Sequence, residues 1–356
     1  MSKFLTQQES TRTGRYLAEG LKPIKITYAP GALSSILFKG GLEREATCLR
    51  CADTPCALFS EEEVAPNGLE GFPADKSLNV CAINAINIDS VSGAPSINSE
   101  LCFLCGVCAS RCPTGAITLS AAGGAAVNDS LAEGYIESVI KNEKRENDTR
   151  ELFVGIQKEG LALIESDQLV QHIFKRMLDS WRVAGDRFPN FLARNLLIGA
   201  GLNASVSRKG NNHMRMDIIL SGKDIKGIAE VEFGQEAVLD APRDILDALA
   251  ILIARYDWSA QDIKALIISD VLPNKRSEYW HIIQDIKNVL NIKVGTVTIF
   301  TLMLANWMHI PVELNDADDF YIDRETGSYR AAVLEKFIGR PLNLENSAHP
   351  QIDFLK

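Results

Sequence analysis

The eight cysteines of this chain constrain its fold more than any other feature. All of them lie between residues 48 and 112, and the rest of the 356-residue sequence contains none. Four stand in the stretch LCFLCGVCASRCPTGAI, at residues 101–117, with the spacing C-x2-C-x2-C-x3-C followed by proline. Gaps of two residues let three thiolates converge from one tight loop onto three irons, which is how proteins hold [4Fe–4S] clusters. The spacing therefore predicts an iron–sulfur site.

A second group of cysteines lies upstream of this motif. It reads C-x2-C-x4-C from residue 48, and Cys81 follows after an insert at residues 57–80. The segment CAINAI, which begins at Cys81, aligns with CPTGAI, which begins at Cys112, and an apolar, strand-like tail follows both. These matching segments indicate an internal repeat, although Ala82 replaces the proline. The insert is acidic and contains glycine and proline, so it is predicted to be a surface loop.

With these two repeats, the region at about residues 45–120 resembles the bacterial two-cluster ferredoxins. In that family the fourth cysteine of each repeat binds the cluster of the other repeat. The resemblance implies an α+β, ferredoxin-like N-terminal domain that carries two [4Fe–4S] clusters. It assigns one cluster to a first cysteine set, which comprises Cys48, Cys51, Cys56 and Cys112. It assigns the other cluster to a second cysteine set, which comprises Cys81, Cys102, Cys105 and Cys108.

Disulfides and zinc are the alternative uses of these cysteines. Disulfides need an oxidising compartment, and the segment MSKFLTQQESTRTGR has no apolar run of the kind that a secretion signal requires. Zinc sites usually pair two separated C-x2-C units, unlike the triple spacing found here. The sequence therefore favours clusters in a cytoplasmic protein. A role in which the clusters only stabilise the domain stays open.

Composition and cofactor chemistry narrow the expected partners. The longest apolar stretch, at residues 294–308, is too short and too interrupted by polar positions to span a bilayer, so no membrane contact is expected. The net charge of −9 argues against a large basic surface for nucleic acid, although a local patch stays open. A cluster with four cysteine ligands normally moves electrons, so a redox partner protein is expected.

The C-terminal part of the chain shows the hydrophobic periodicity of an α/β domain. The predicted order of elements is α-α-β-β-β-α-β-α-β, and Asp240 with Pro242 is expected to start the third helix. The helices are predicted at residues 167–181, at residues 190–202, from Asp240 and Pro242 through the run ILDALAILIARY, and at residues 277–290. The strands are predicted at residues 203–207, 216–220, 227–234, 265–273 and 293–301.

These patterns also divide the chain into domains. Residues 48–120 form the predicted ferredoxin domain, and residues 151–310 form the predicted α/β domain. The remaining parts are interpreted as an N-terminal extension, a helix with a linker, and a C-terminal extension, at residues 1–47, 121–150 and 311–356.

Three acidic residues carry a second resemblance. Asp217 begins one predicted strand, and Glu230 and Glu232 share a face of the next, because side chains alternate along a strand. On these residues and the element order, the region at about 165–305 resembles the core of the PD-(D/E)xK nuclease superfamily, the fold of many restriction endonucleases. The resemblance implies that Asp217, Glu230 and Glu232 bind Mg²⁺ or Mn²⁺ and catalyse phosphodiester cleavage. Glu232 stands where the family usually has lysine, and Met216 where proline is common.

A local group of basic residues precedes these acids and could contact phosphates. It comprises Arg208, Lys209, His213 and Arg215. The alternative is that the two glutamates form a solvated sheet face and that the basic residues belong to a hairpin loop. The helix at 190–202 lacks the glutamate that the nuclease family often has there.

Three functions are compatible with these patterns. The first is electron transfer or redox sensing by the two-cluster module, with the C-terminal domain docking it on an enzyme. The second is a metal-dependent DNA endonuclease or nucleic-acid-binding protein of a restriction or defence type, in which the ferredoxin module is regulatory or structural. The third is a structural role for the clusters, which would only stabilise the N-terminal half, with the nuclease-like fold as a binding scaffold without chemistry. The sequence favours the first function and does not decide whether the protein is an enzyme.

Overall fold

The structure is a computed structural model, and it describes part of the chain. The described residues are 5–6, 17–18, 48, 50–51, 53–65, 71–91, 93–112, 116–120, 124–127, 167–211, 215–222, 225–234, 237–270, 272–273, 277–308, 312, 314 and 320–321. The predicted N-terminal extension, linker and C-terminal extension lie largely outside these residues. The helices and strands, in chain order, are β1 (Leu5–Thr6), β2 (Leu17–Ala18), α1 (Glu61–Val64), β3 (Ile86–Ile88), β4 (Pro95–Ile97), α2 (Val107–Arg111), β5 (Ile117–Ser120), β6 (Gly124–Val127), α3 (Asp167–Ala184), α4 (Phe188–Gly199), β7 (Asn203–Val206), β8 (Ile218–Ser221), β9 (Lys226–Glu232), α5 (Ala241–Tyr256), β10 (Ile263–Ser269), α6 (Tyr279–Leu290), β11 (Val294–Thr298) and α7 (Ile299–Met308).

The chain divides into two compact units that interleave along the sequence. The first unit comprises Met1–Ser60, Leu78–Phe188 and Asn306–Pro311. The second unit comprises Glu61–Ser77, Pro189–Ala305 and Val312–Lys356.

Each cysteine repeat of the first unit leads into a β-hairpin. Strand β3 pairs antiparallel with β4, and β5 pairs antiparallel with β6. Strand β3 begins shortly after Cys81, and β5 begins shortly after Cys112. The strand-like tails predicted for both repeats are therefore confirmed.

The insert is not the surface loop that its composition predicts. Its two ends pair with each other, and the Phe59 amide donates to the Leu78 carbonyl at 2.7 Å. Between these ends, Glu61–Ser77 belongs to the second unit, where α1 packs against β7. The side chains of Val64 and Phe72 are buried there. The surface-loop prediction was wrong because the few apolar residues of an acidic segment find a core in a distant part of the chain.

A five-stranded mixed sheet forms the centre of the second unit. Its strand order is β11-β10-β9-β8-β7. Strands β7, β8 and β9 form an antiparallel meander, whereas β9, β10 and β11 run parallel. Parallel neighbours need crossover connections, which α5 and α6 supply. The predicted order of helices and strands is confirmed.

The last strand ends earlier than its apolar, β-branched run predicts. It stops at Thr298, and α7 begins at Ile299. The Thr298 hydroxyl accepts a hydrogen bond from the Thr301 amide at 3.2 Å, as an N-cap residue does. The predicted strand to residue 301 was wrong because the cap turns a continuous apolar run from strand into helix.

Asp240 precedes α5 but does not cap it. Its backbone angles are φ −85° and ψ −20°, already helical, and its side chain makes no capping hydrogen bond. The short 3₁₀ turn Ala237–Leu239 leads straight into the helix and leaves Asp240 without the extended conformation that a cap needs. Pro242 lies in the first turn, as predicted.

Candidate metal centres

The first cysteine set lines one cavity. Cys48, Cys51, Cys56 and Cys112 surround a space of about 390 Å³, its open mouth included. Burial and, in decreasing order, the neighbouring thiols at Cys112, Cys48 and Cys51 together raise the pKa of the Cys56 thiol to about 12. Cys112 therefore lies near Cys56 in the fold, although it is distant in sequence.

The thiols of the second cysteine set also lie close to one another. Burial raises the pKa of the Cys108 thiol well above its usual value, and the thiols of Cys105, Cys102 and Cys81 add to the effect. Cys56 also contributes, so the two sets are neighbours. Buried neutral thiols must lose their protons to bind iron, and cationic iron offsets the repulsion between the resulting thiolates. This donor chemistry fits a cluster.

Strained loops hold both sets. Leu104 adopts a left-handed conformation with φ 69°, although its side chain is buried, and Gly106 follows with φ 88°. Such angles are costly for residues other than glycine and persist where surrounding packing imposes them. Positive φ angles recur in the other cysteine loops at Arg50, Thr54 and Asn84.

The two repeats place the same hydrogen bond on their fourth cysteine. The Ala85 amide donates to Cys81 Sγ at 3.1 Å, and the Ala116 amide donates to Cys112 Sγ at 3.2 Å. In both cases the donor lies four residues after the sulfur. Hydrogen bonds to cluster sulfurs are one of the means by which proteins set a reduction potential.

Arg111 ties the loop of the first set to α2. Its side chain is 1% exposed, and its Nε donates to the Pro55 carbonyl at 2.7 Å. Its Nη2 donates to the Leu58 carbonyl at 3.4 Å, and the guanidinium lies 4.5 Å from the ring centre of Phe59. A buried arginine between Cys108 and Cys112 therefore holds the chain on both sides of Cys56. Sequence reasoning missed this residue, although a charged residue inside the C-x3-C gap was a visible signal.

Helix α3 contacts the loop of the second set from outside the repeats. Arg176 Nη2 donates to the Ser99 carbonyl. Ser180 Oγ donates to the Arg176 carbonyl of its own helix at 2.8 Å and lies 3.4 Å from the Leu101 carbonyl oxygen. The ring of Phe188, at the start of α4, packs edge-on against Phe103 with 5.6 Å between centroids. Burial raises the pKa of the Cys102 thiol, and the charge of Arg176 acts in the opposite direction.

The predicted acidic residues of the second unit converge at the start of β8 and the end of β9. Asp217 Oδ1 accepts a hydrogen bond from Asn190 at 2.6 Å, and its Oδ2 accepts one from the Val231 amide at 3.0 Å. Glu230 is 3% exposed, and among the described residues its Oε1 finds no hydrogen-bond partner. Asp217, Glu230 and Glu232 are named the acidic site below.

Electrostatic coupling connects the members of the acidic site. Burial raises the pKa of Glu230 well above its usual value, and the charges of Asp217, Asp244 and Glu232 raise it further. Burial and, after it, the charges of Asp217, Asp244 and Asp240 together raise the pKa of Glu232 to about 7. Crowded buried carboxylates of this kind hold protons or cations.

Sequence reasoning missed two neighbours of the acidic site. Asn190 lies in α4, the helix in which the nuclease family often places a glutamate, and Asp244 lies in the first turn of α5. Of the predicted basic group, Arg215 pairs with Asp247 at 2.9 Å on the surface. Arg208 and Lys209 are exposed. His213 lies outside the described residues.

Among the described residues, no group of three or more histidine, cysteine, aspartate or glutamate side chains could hold a metal ion as it stands. A single ion gathers its ligands around one point, whereas a [4Fe–4S] cluster takes each thiolate on a different iron. Binding of one ion at the acidic site would require these side chains to shift.

Within the part of the chain that the structure describes, none of the helices combines the length and apolar character that crossing a lipid bilayer requires.

Comparisons with known proteins address the cysteine region. A family described as "4Fe-4S binding domain" matches residues 95–118. The polyferredoxin-like subunit of an aliphatic sulfonate oxidoreductase from Pyrococcus furiosus is 30% identical over 73 residues, which cover 20% of this chain and 30% of that protein. The chain thus matches less than a third of the length of this curated relative. No solved structure matches the chain. Residues 95–118 are accordingly a 4Fe–4S binding segment of the ferredoxin type.

Proposed function

We propose that this chain is an electron-transfer protein with two [4Fe–4S] clusters, one bound by each cysteine set. The observation that carries the proposal is that the fourth cysteine of each repeat lies near the first three cysteines of the other repeat, as Cys112 does in the cavity lined by Cys48, Cys51 and Cys56. Cys112 acts electrostatically on Cys51 and Cys56, whereas Cys81 acts on Cys105 and Cys108. This is the pairing that the two-cluster ferredoxin resemblance implies.

The donor sets favour electron transfer over chemistry on a substrate. Four thiolates per cluster leave no iron with an open position, so the chemistry supplied is the gain and loss of one electron. The electrostatic effect of Cys56 on Cys108 indicates that the sets are adjacent, as two clusters that exchange electrons must be. The matched relative is named as a subunit of an oxidoreductase. We therefore propose that a redox enzyme subunit is the partner, and that the second unit docks the cluster module on it.

The experiment is a comparison of single cysteine variants in anaerobically purified full-length protein. Wild type should contain about eight irons and show two cluster signals after reduction with dithionite. Cys51→Ser and Cys112→Ser should lose the same signal, and Cys108→Ser should lose the other. Ser96→Ala, on strand β4, is the matched control. If Cys112→Ser and Cys108→Ser lost the same signal, the crossed assignment would be wrong; a wild type with about four irons would exclude the second cluster.

A second candidate function rests on the acidic site. Its carboxyl groups lie at the junction of β8 and β9, and the buried Glu230 has an Oε1 without a hydrogen-bond partner among the described residues, which is costly for a polar group and more so for a charged one. A Mg²⁺ or Mn²⁺ ion would neutralise this charge and could activate water for phosphodiester cleavage. The order of elements in the second unit supports a restriction-endonuclease-like core, with DNA as the substrate.

Manganese binding tests this second candidate without a choice of substrate sequence. Holoprotein would be titrated with Mn²⁺, with and without a short DNA duplex, and free Mn²⁺ followed by EPR. Binding that is lost in Asp217→Asn but kept in Asp247→Asn, a surface carboxylate of α5, would support the nuclease proposal. Equal titrations of wild type and Asp217→Asn under both conditions would exclude it.

A further inference from the structure

Helix α3 and the first residue of α4 are not part of either cysteine repeat, yet together they contact one of them at three points. The contacts fall on Ser99, Leu101 and Phe103, alternate residues that flank Cys102. They come from Arg176 and Ser180 in α3 and from the residue that opens α4. The loop that carries the second cysteine set is therefore held by a chain segment that a ferredoxin repeat does not supply.

Arg176 is the charged member of this contact. Its guanidinium is half-buried and donates to the Ser99 carbonyl, three residues before Cys102. The bond fixes the end of a long side chain that would otherwise sample many rotamers. Its charge is thereby held at a defined place beside the second set.

We propose that Arg176 is a positioning residue that sets the reduction potential of the cluster held by Cys81, Cys102, Cys105 and Cys108. This inference rests on the proposed binding of a [4Fe–4S] cluster by that set. Reduction adds one negative charge to the cluster, and a nearby positive charge stabilises the reduced state more than the oxidised one. Partial burial weakens the screening of this interaction by water and salt.

The first cysteine set has different arginines near it. Arg50 lines its cavity. Arg111, which lies in the second repeat between Cys108 and Cys112, bonds to the carbonyls on both sides of Cys56. The second set receives its arginine from α3, more than 70 residues away along the chain, as the separation of 77 between Arg176 and Ser99 shows. Removal of the Arg176 charge should therefore shift the potential of one cluster only.

An EPR-monitored redox titration of anaerobically purified full-length holoprotein tests the inference. Arg176→Gln should make the potential of one cluster more negative and leave the other unchanged, with the iron content of wild type. Arg176→Lys keeps the charge and should stay close to wild type. Arg182→Gln is the control, because Arg182 lies on the same helix, is 77% exposed and pairs with Asp179 at 3.0 Å. Ser180→Ala removes a loop contact without changing charge and should leave both potentials in place.

The variants separate an electrostatic role from a purely structural one. If Arg176→Gln kept its iron and both potentials, the inference would be overturned while the cluster assignment stood. A lysine variant that shifted as far as the glutamine variant would also overturn it, because charge would not be the determinant. If Arg176→Gln lost its cluster, its potential could not be measured and Arg176→Lys would provide the test. A wild-type potential in Arg176→Lys would support the charge effect, and a shifted one would contradict it. A wild type without clusters would remove the proposed function and this inference together.

Discussion

The guanidinium of Arg111 shows how much a single residue can contribute to a cysteine-rich fold. Instead of contacting water, it bonds to two main-chain carbonyls and lies over an aromatic ring. The residue lies between two cysteines in the sequence. A charged donor that bonds buried carbonyls contributes about 1.5–3 kcal/mol per bond. Its removal would leave both carbonyls to find new partners.

We expect Arg111→Leu to release iron several-fold faster than wild type, because the Cys56 loop loses both of its bonds to α2. Iron release to a chelator under anaerobic conditions, followed by absorbance, measures this rate. Arg182→Leu, an exposed position on α3, is the control and should match wild type. Equal release rates in Arg111→Leu and wild type would show that other contacts hold the loop.

Glu232 gives the acidic site a pH dependence with a definite sign. Burial and neighbouring charges raise its pKa from 4.5 to about 7 in the folded protein. The folded state therefore binds the proton more tightly than the unfolded state, so this contribution to stability is complete below pH 4.5 and is lost as the pH rises through about 7.

In metal-free buffer, Glu232→Gln should therefore raise the melting temperature relative to wild type more at pH 8 than at pH 5. Thermal unfolding of both proteins at both pH values measures the difference. Because the variant is compared with wild type at each pH, any acid sensitivity of the clusters affects both proteins and cancels. Glu278→Gln, at an exposed position before α6, should show no such change. A Glu232→Gln difference that is the same at both pH values would contradict the assignment.

Residues differ in how far their roles could be predicted from sequence. The cysteines were recognisable because their chemistry depends on short spacings along the chain. Asp217, Glu230 and Glu232 were recognisable from strand alternation. Other residues near these sites could not be recognised from sequence, because each contacts or influences a partner that only the folded chain brings near. These residues are Asn190, Asp244 and Arg176.

At the scale of the element, β9 is the central strand of the five-stranded sheet. It is antiparallel to β8 on one side and parallel to β10 on the other. Gly227 allows its close approach to β10, because a Cβ at this position would lie 2.8 Å from the Lys264 carbonyl oxygen. A backbone atom cannot move aside as a flexible side chain can.

Gly227→Ala should destabilise the second unit by about 1–3 kcal/mol, since the strands must separate slightly to admit the methyl group. Urea unfolding followed by circular dichroism measures the loss. Gly222→Ala is the matched control, because its Cβ would meet only the Leu314 side chain, at 3.8 Å. Similar midpoints for the two variants would mean that the sheet accommodates the added group.

Element order was predictable because hydrophobic periodicity is a local property of the sequence. The ends of the elements were less predictable, as the strand that stops at Thr298 and the uncapped start of α5 show. In both places the outcome depends on which backbone and hydroxyl groups find partners, and an apolar pattern carries no information on that choice.

At the scale of the whole molecule, the interleaving of the two units along the sequence is the feature that sequence patterns did not predict. A boundary near residue 150 follows from composition, yet Glu61–Ser77 belongs to the second unit. This segment lies beside β7, which is the edge strand of the sheet. The Asp75 amide donates to the Val206 carbonyl at 2.8 Å, and the Arg208 amide donates to the Pro73 carbonyl at 2.7 Å. Exposed edge strands recruit other chains, and the insert protects this one.

A fragment of residues 151–310 should therefore be less stable than the same sheet in the intact chain, and it should aggregate. Light scattering and thermal unfolding of the purified fragment measure both effects. Addition of a peptide that spans residues 61–77 should reduce the aggregation, and a scrambled peptide of the same composition should not. A monomeric fragment that unfolds at the temperature of the intact chain would show that the insert is dispensable.

The insert also has a consequence for the order of events during synthesis. Ser205 Oγ donates to the carbonyl of Val64, a partner that left the ribosome 141 residues earlier. At about 5–20 residues per second, this interval lasts about 7–28 s. For most of that time the nascent chain carries Cys56 and Cys81, yet the sheet that receives the segment between them does not exist. Iron insertion on the nascent chain would therefore act on a first repeat whose insert is still unpacked.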